Sequence, residues 1–350
     1  MELPADFGAL TQALLAKAAA IGQPASGIFE LTSRCNLACS MCYVREATAA
    51  CRELSSDAWL HLAREAAGQG MVFLLLTGGE VFLREDFWEI YEPIARMGLF
   101  LKVFTNATLI TNQAAERLAA CPPHLIEVTL YGVSRRTYRA LTGAAEAHDR
   151  CLAGLENLLR FGLPVLVKTT LTTLNVGELE GMRRMAERWG VPFQAGWLLT
   201  PRRDGRPTPI EHLRLEPDRV SGMEHAWNPA DPAVEQPSEA ASNTGAFYCQ
   251  AGRNSFVITP SGDMNVCVDL PRPAARPLEC GFLEAWRQVM RYADSVPVSA
   301  ACSACGLAQS CPRCPAWSLL ETGDLTAPVP YLCRLAAARE RLRRRSSPCT

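Results

Sequence analysis

The chain of 350 residues is 48% hydrophobic, enough to bury a large core in one domain or two. Thirty-five basic against 36 acidic residues leave a formal charge of −1, which gives no electrostatic case for nucleic acid or an anionic membrane surface. The first 25 residues hold no apolar signal-peptide core, and no later run approaches the ~18 apolar residues of a membrane span, so a soluble, cytoplasmic protein is expected.

In chain order, six short runs rich in β-branched and aromatic residues predict buried strands: 27–32 (GIFELT), 71–77, 99–105, 124–132, 163–173 and 191–199. Helical patterns separate them at 57–67, 86–97, 112–120, 147–160 and 176–189, several ended by a glycine such as Gly68, Gly98, Gly162 or Gly190. Strand and helix in alternation require a parallel sheet, because each parallel return needs a crossover. The predicted class is α/β, a partial (β/α)6 TIM-like barrel with a small cysteine-rich C-terminal domain; in such barrels chemistry sits at the carboxyl ends of the strands. Four segments follow: an N-terminal stretch 1–24, the barrel 25–200, a linker or irregular cap at 201–245 with seven prolines, and a cysteine-rich region 246–350 ending in a basic helix.

Fifteen cysteines are too many for a reducing compartment to hold as structural disulfides, which leaves metal binding or thiol chemistry. Cys35, Cys39 and Cys42 follow the first predicted strand. Three thiolates cannot complete a structural zinc site, which normally takes four protein ligands, but they can hold a [4Fe–4S] cluster with one iron open. Cys51 is the only nearby candidate for a fourth, at a loose spacing. The C-x3-C-x2-C arrangement resembles that of the radical S-adenosylmethionine (SAM) superfamily. The resemblance implies that SAM chelates the open iron through its amino and carboxylate groups, and that one electron cleaves it to methionine and a 5′-deoxyadenosyl radical, which abstracts a substrate hydrogen. Thr77-Gly78-Gly79-Glu80, at the end of the second strand, matches that family's second motif; its glycines would let backbone approach the ligand, and Glu80 would accept from an ammonium.

By the same resemblance Asn106 would contact the ribose or methionine of SAM, and Thr129 and Arg139 its carboxylate, a bidentate task suited to guanidinium. Lys168 would assist there or serve structure, and Tyr43 would lie against the adenine. Met41 stands where relatives carry an aromatic residue, and Tyr131 replaces a usual aspartate.

The region 246–335 reads C-x17-C, C-x2-C-x5-C-x2-C and then 18 residues to Cys333, and resembles the seven-cysteine SPASM extension of radical SAM maturases, with C-x2-C for the family's final C-x3-C. The resemblance implies one auxiliary iron–sulfur cluster on Cys302, Cys305, Cys311 and Cys333, and a second on Cys249, Cys267 and Cys314, one ligand short. Cys280 is the candidate for that place; otherwise the site stays open. A hairpin with its turn at Ser261-Gly262-Asp263 is expected over 254–267. Zinc is the competing ligand, although five residues between the two C-x2-C pairs fall far short of the ~15–20 of a zinc ribbon. Cys121 and Cys151 read as ordinary thiols, Cys349 as a tail residue.

The resemblance implies an oxidoreductase that modifies a peptide or protein side chain, for example by a thioether or carbon–carbon crosslink, with an external flavodoxin- or ferredoxin-type reductant. The alternatives are a small-molecule radical dehydrogenase or cofactor-biosynthesis enzyme, and a zinc-stabilised binding protein without catalysis. About 25 residues before the first strand leave no room for a peptide-recognition domain, so leader binding is expected from a separate protein or from 201–245.

Overall fold

The computed structural model describes residues 7–44, 52–206, 208–227 and 245–346. One eight-stranded sheet forms its centre, in the order β6-β5-β4-β3-β2-β1-β7-β8. The strands are β1 (Ser26–Thr32), β2 (Phe73–Gly78), β3 (Phe100–Thr105), β4 (Leu125–Thr129), β5 (Val165–Thr170), β6 (Phe193–Gly196), β7 (Ser255–Ile258) and β8 (Met264–Asn265). All neighbours are parallel except β7 and β8, which form the expected hairpin. With β6 and β8 as free edges the sheet stays open, as a partial barrel.

The helices are α1 (Phe7–Ile21), α2 (Ser56–Gly68), α3 (Phe87–Ala95), α4 (Asn112–Ala120), α5 (Arg135–Thr142), α6 (Ala147–Arg160) and α7 (Leu179–Trp189). Beyond the barrel come α8 (Ile210–Leu213), α9 (Pro217–Trp227), α10 (Pro277–Cys280), α11 (Phe282–Ser295), α12 (Ala300–Ser303), α13 (Pro315–Thr322) and α14 (Pro330–Ser346). Local chemistry sets several starts: Ser55, Thr111 and Ser134 accept from the backbone N–H of Ala58, Ala114 and Thr137. The fifth strand stops at Thr170, short of the expected 173, because Asn175 Oδ1 takes the Thr172 N–H at 2.7 Å and turns the chain.

Three features go beyond the reading of the sequence. Residues 1–24 contain helix α1, whose run of alanines and leucines has no polar face to betray its period, and 201–245 contains α8 and α9. The hairpin joins the barrel sheet, because β7 pairs in parallel with β1, Ser26 opposite Ser255 through Phe29 opposite Ile258. Aromatic packing explains the join: Phe256 of β7 meets Phe29 on one side and Phe282 and Trp286 of α11 on the other, with ring centroids 5.2–6.5 Å apart. Burying each such ring stabilises by about 1.5–3 kcal/mol. The cysteine-rich end has only a small apolar cluster of its own, Trp317, Val329, Tyr331 and Leu332. Among the described residues no helix is long and apolar enough to cross a membrane.

Candidate active site

A cavity of about 1040 Å³ opens where the strands end. Thr77, Gly78, Gly79, Thr105, Asn106, Thr129, Lys168 and Thr170 line it from the tips of β2 to β5, and Cys35, Cys39, Met41, Cys42 and Tyr43 from the loop after β1. Leu198, Leu199 and Thr200 follow β6, while Val268, Asp269 and Trp317 join the lining from the C-terminal half.

Backbone pairing positions the cysteine loop. Beyond β1 and β2 the strands stay zipped, with Gly79 N–H donating to Thr32 O at 2.7 Å and Glu80 N–H to Arg34 O at 2.9 Å. A Cβ on Gly78 would meet Thr32 O at 2.2 Å, and one on Gly79 would meet Arg34 O at 2.1 Å. The two glycines are therefore demanded by the cysteine loop itself, one residue before Cys35; the ligand-approach argument drawn from sequence is not needed to explain them.

Glu80 differs from expectation. It is fully buried and does not line the cavity; Oε1 accepts from Thr105 Oγ1 at 2.8 Å and Oε2 from Asn106 N at 2.7 Å. Burial pushes its carboxyl up to about 7 against these hydrogen bonds. It latches β2 to β3 where the sequence suggested a ligand for an ammonium. Arg139 is also corrected: Thr137, Tyr138, Leu141 and Thr142 occupy the buried face of α5, which leaves Arg139 exposed and outside the cavity lining.

Lys168 lies in the wall, its Nζ 3.2 Å from Glu127 Oε2 and against the face of Phe104. Burial lowers its ammonium to about 8, opposed by Glu127. Asn106 keeps its side chain among protein partners, donating to Asn36 Oδ1 at 3.0 Å and to Cys35 Sγ at 3.8 Å. Tyr131 stacks edge-on against Tyr138, and its hydroxyl donates toward Cys39.

Three groups of thiols stand out by their mutual electrostatics. Cys42 disfavours the thiolates of Cys35 and Cys39, and Cys35 that of Cys39; burial, the largest cause, pushes Cys35 up to about 11 and Cys39 up to about 12. Cys249, Cys267 and Cys314 interact in the same way, with Cys314 up to about 12 through burial. Cys302, Cys305, Cys311 and Cys333 form the third, Cys311 rising to about 11 through burial. Among the described residues no three His, Cys, Asp or Glu side chains are gathered tightly enough for a single metal ion. Cys280 is exposed at the end of α10, its Sγ 3.2 Å from Arg276 O, and does not figure among the main charges acting on Cys249, Cys267 or Cys314. Cys51 and Cys349 lie outside the described residues. Neighbouring thiols whose thiolate forms repel need a cationic partner, and iron within a cluster supplies one.

Sequence reasoning missed the group that joins these walls. Arg203, after β6, holds Glu30 of β1 with Nη1 at 2.8 Å from Oε2, reaches Val268 O at 3.4 Å, and donates its own N–H to Tyr43 O at 3.3 Å. Asp269, two residues past Cys267, accepts from Thr200 Oγ1 at 3.2 Å and Trp317 Nε1 at 3.4 Å. A C-x-D spacing was its only trace in sequence.

Residues 29–188 match the family model described as the radical SAM superfamily. The chain carries a radical SAM domain. Such a domain works with SAM and a [4Fe–4S] cluster, and the chain is an enzyme of this kind. Among curated proteins, the AdoMet-dependent heme synthase of Methanosarcina barkeri is 26% identical over 329 residues, spanning 87% of this chain and 94% of that protein. Mycofactocin maturase MftC of Mycobacterium tuberculosis is 28% identical over 297 residues, 81% and 76% of the two chains. Among solved structures, Streptococcus suis SuiB bound to S-adenosylmethionine superposes with a TM-score of 0.69 at 16% identity, covering 93% of this chain and 81% of SuiB, a likeness of fold. SuiB has also been solved with its precursor peptide SuiA.

Proposed function

We propose that this radical SAM enzyme oxidatively modifies a side chain of a peptide or small protein. The observation that carries the reading is the shared cavity: Cys35, Cys39 and Cys42 line it together with Val268, Asp269 and Trp317, sequence neighbours of Cys267 and Cys314. A substrate side chain there lies between a site of hydrogen abstraction and a site able to take the second electron. The maturase relative and the peptide-bound SuiB support the peptide as substrate class.

Cys35, Cys39 and Cys42 would hold the active cluster; when bound, it supplies the electron that cleaves SAM to methionine and a 5′-deoxyadenosyl radical. The thiols of Cys302, Cys305, Cys311 and Cys333 would hold one auxiliary cluster, and Cys249, Cys267 and Cys314 another, one protein ligand short unless Cys280 supplies it. Thr129 and Lys168, both in the cavity wall, are the candidates for the SAM carboxylate, and Tyr43, held by Arg203, packs beside the cavity where an adenine would rest. The region 246–350 would be a SPASM-type domain. An external one-electron reductant and, for a ribosomal peptide, a separate leader-binding protein complete the system, in a cytoplasmic setting.

A second reading has its own support. The heme synthase relative aligns along 94% of its own length, which favours a tetrapyrrole or other small-molecule substrate in the same cavity. Anaerobic co-expression with short cysteine-containing peptides encoded beside the gene, followed by mass spectrometry, separates the two. Loss of two hydrogens from a peptide, with one equivalent of 5′-deoxyadenosine, supports the first. Unmodified peptides together with SAM-dependent decarboxylation or dehydrogenation of a tetrapyrrole would replace it. Stoichiometric zinc without iron or acid-labile sulfide would end both.

A further inference from the structure

Every polar atom of the Asn106 side chain is committed to protein. Oδ1 accepts from Thr108 N at 3.0 Å and Thr108 Oγ1 at 2.6 Å. Nδ2 donates to Asn36 Oδ1 at 3.0 Å and to Cys35 Sγ at 3.8 Å. Asn36 Nδ2 in turn donates to Thr108 Oγ1 at 2.7 Å, so three side chains close a ring around the end of β3. The ring fixes which way the amide points. A flipped Asn106 would turn Nδ2 on the Thr108 N–H and present its oxygen to both the sulfur and Asn36 Oδ1, losing each of these bonds. From below, Glu80 holds the Asn106 backbone N–H at 2.7 Å, which ties this donor to the latch between β2 and β3. On the same sulfur a second donor converges, the Leu37 N–H at 3.4 Å.

Cysteine sulfurs in an iron–sulfur cluster grow more negative when an electron is added, and a fixed N–H donor aimed at one of them favours the reduced form. Resting on Cys35, Cys39 and Cys42 as ligands of the active cluster, we infer that Asn106 is a positioning residue whose amide hydrogen bond to the Cys35 sulfur raises the reduction potential of that cluster, in place of the ribose contact its motif suggests. The electron still comes from the external reductant, and the residue sets how readily the cluster accepts it.

The test is an anaerobic redox titration of the holoprotein, following the electron paramagnetic resonance signal that changes on adding SAM, in the parent, Asn106→Ala and Asn36→Ala forms. Asn106→Ala is expected to shift the midpoint to more negative potential, lowering the equilibrium constant for reduction by a given donor roughly fivefold, the effect of one modest hydrogen bond. Asn36→Ala opens the ring but keeps the donor to sulfur, and is expected to leave the midpoint unchanged. An unmoved midpoint in Asn106→Ala, or an equal shift in both variants, overturns the inference. Should Asn106→Ala fail to assemble the cluster, unaltered holoprotein labelled with 15N in asparagine side-chain amides decides. A hyperfine coupling between the reduced cluster and an amide nitrogen supports the bond, and its absence removes it. If the parent itself shows no SAM-responsive signal, the proposed function falls first and takes this inference with it.

Discussion

Gly79→Ala tests whether the paired glycines serve the cysteine loop. The new Cβ would stand 2.1 Å from the Arg34 carbonyl oxygen, 2.5 Å from its carbon and 3.0 Å from Ser33 O. An ordinary carbon–oxygen contact is about 3.3 Å, so the segment 33–34 must retreat by roughly 1 Å. Retreat stretches or breaks two backbone bonds, Gly79 N to Thr32 O and Glu80 N to Arg34 O. Each contributes about 1 kcal/mol, and residual overpacking costs about 1–3 kcal/mol, for a total of about 3–5 kcal/mol. Because Cys35 follows Arg34 directly, the same displacement carries a thiol away from its two companions. Two measurements check it: chemical unfolding of the apoprotein, and the SAM-dependent change in the resonance signal of the reconstituted enzyme. Destabilisation with loss of the SAM response is expected. Unfolding within about 0.5 kcal/mol of the parent, with an unaltered response, would show that the loop tolerates the methyl group and that the packing argument is wrong.

Three other outcomes are expected. Lys168 has a folded value near 8 against 10.5 in the unfolded chain, so the unfolded state binds more protons between those limits and stability rises with pH across that window; Lys168→Met should flatten the slope by up to ~1.4 kcal/mol per pH unit, read from unfolding at stepped pH, and an unchanged slope refutes the assignment. Helix α12 and the turn Ala308–Ser310 bury no residue, so iron chelation should open 299–314 to limited proteolysis while the barrel resists; equal resistance with and without iron counts against a cluster there. Phe256→Ala should cost about 3–5 kcal/mol by removing the ring between Phe29, Phe282 and Trp286, and a loss below ~1 kcal/mol would mean that β7 is not what fastens the C-terminal half to the barrel.

Periodicity made the barrel legible, because the buried strands are continuous apolar runs and the outer helices show amphipathic repeats, three of them with a side-chain cap. Asn112–Ala120 and Ala147–Arg160 match their predicted limits for this reason. Helix α1 was hidden because FGALTQALLAKAAAI holds a single charge and offers no contrast between faces. The motifs marked the site's location but misjudged two side chains. Glu80 belongs to a recognisable motif, yet its role depends on Thr105 and Asn106 from the next strand, pairings that no local pattern encodes. Arg139 differs for another cause: it directly follows Tyr138, and on a helix that single step of about 100° is the difference between core and solvent. The Arg203–Glu30 pair spans 173 positions of chain and could be seen only once the sheet had brought them together.

The parallel pairing of β1 with β7 has a mechanical consequence. Cys35 lies three residues beyond the end of β1, and Cys267 lies two residues past β8 of the hairpin that β7 begins, so the two cysteine groups rise from adjacent rows of one hydrogen-bonded lattice. A hinge between lobes would let such a gap breathe; a shared sheet holds it at constant width. A molecule entering between the two cysteine groups therefore meets a gap set by strand register, not by the swing of two lobes.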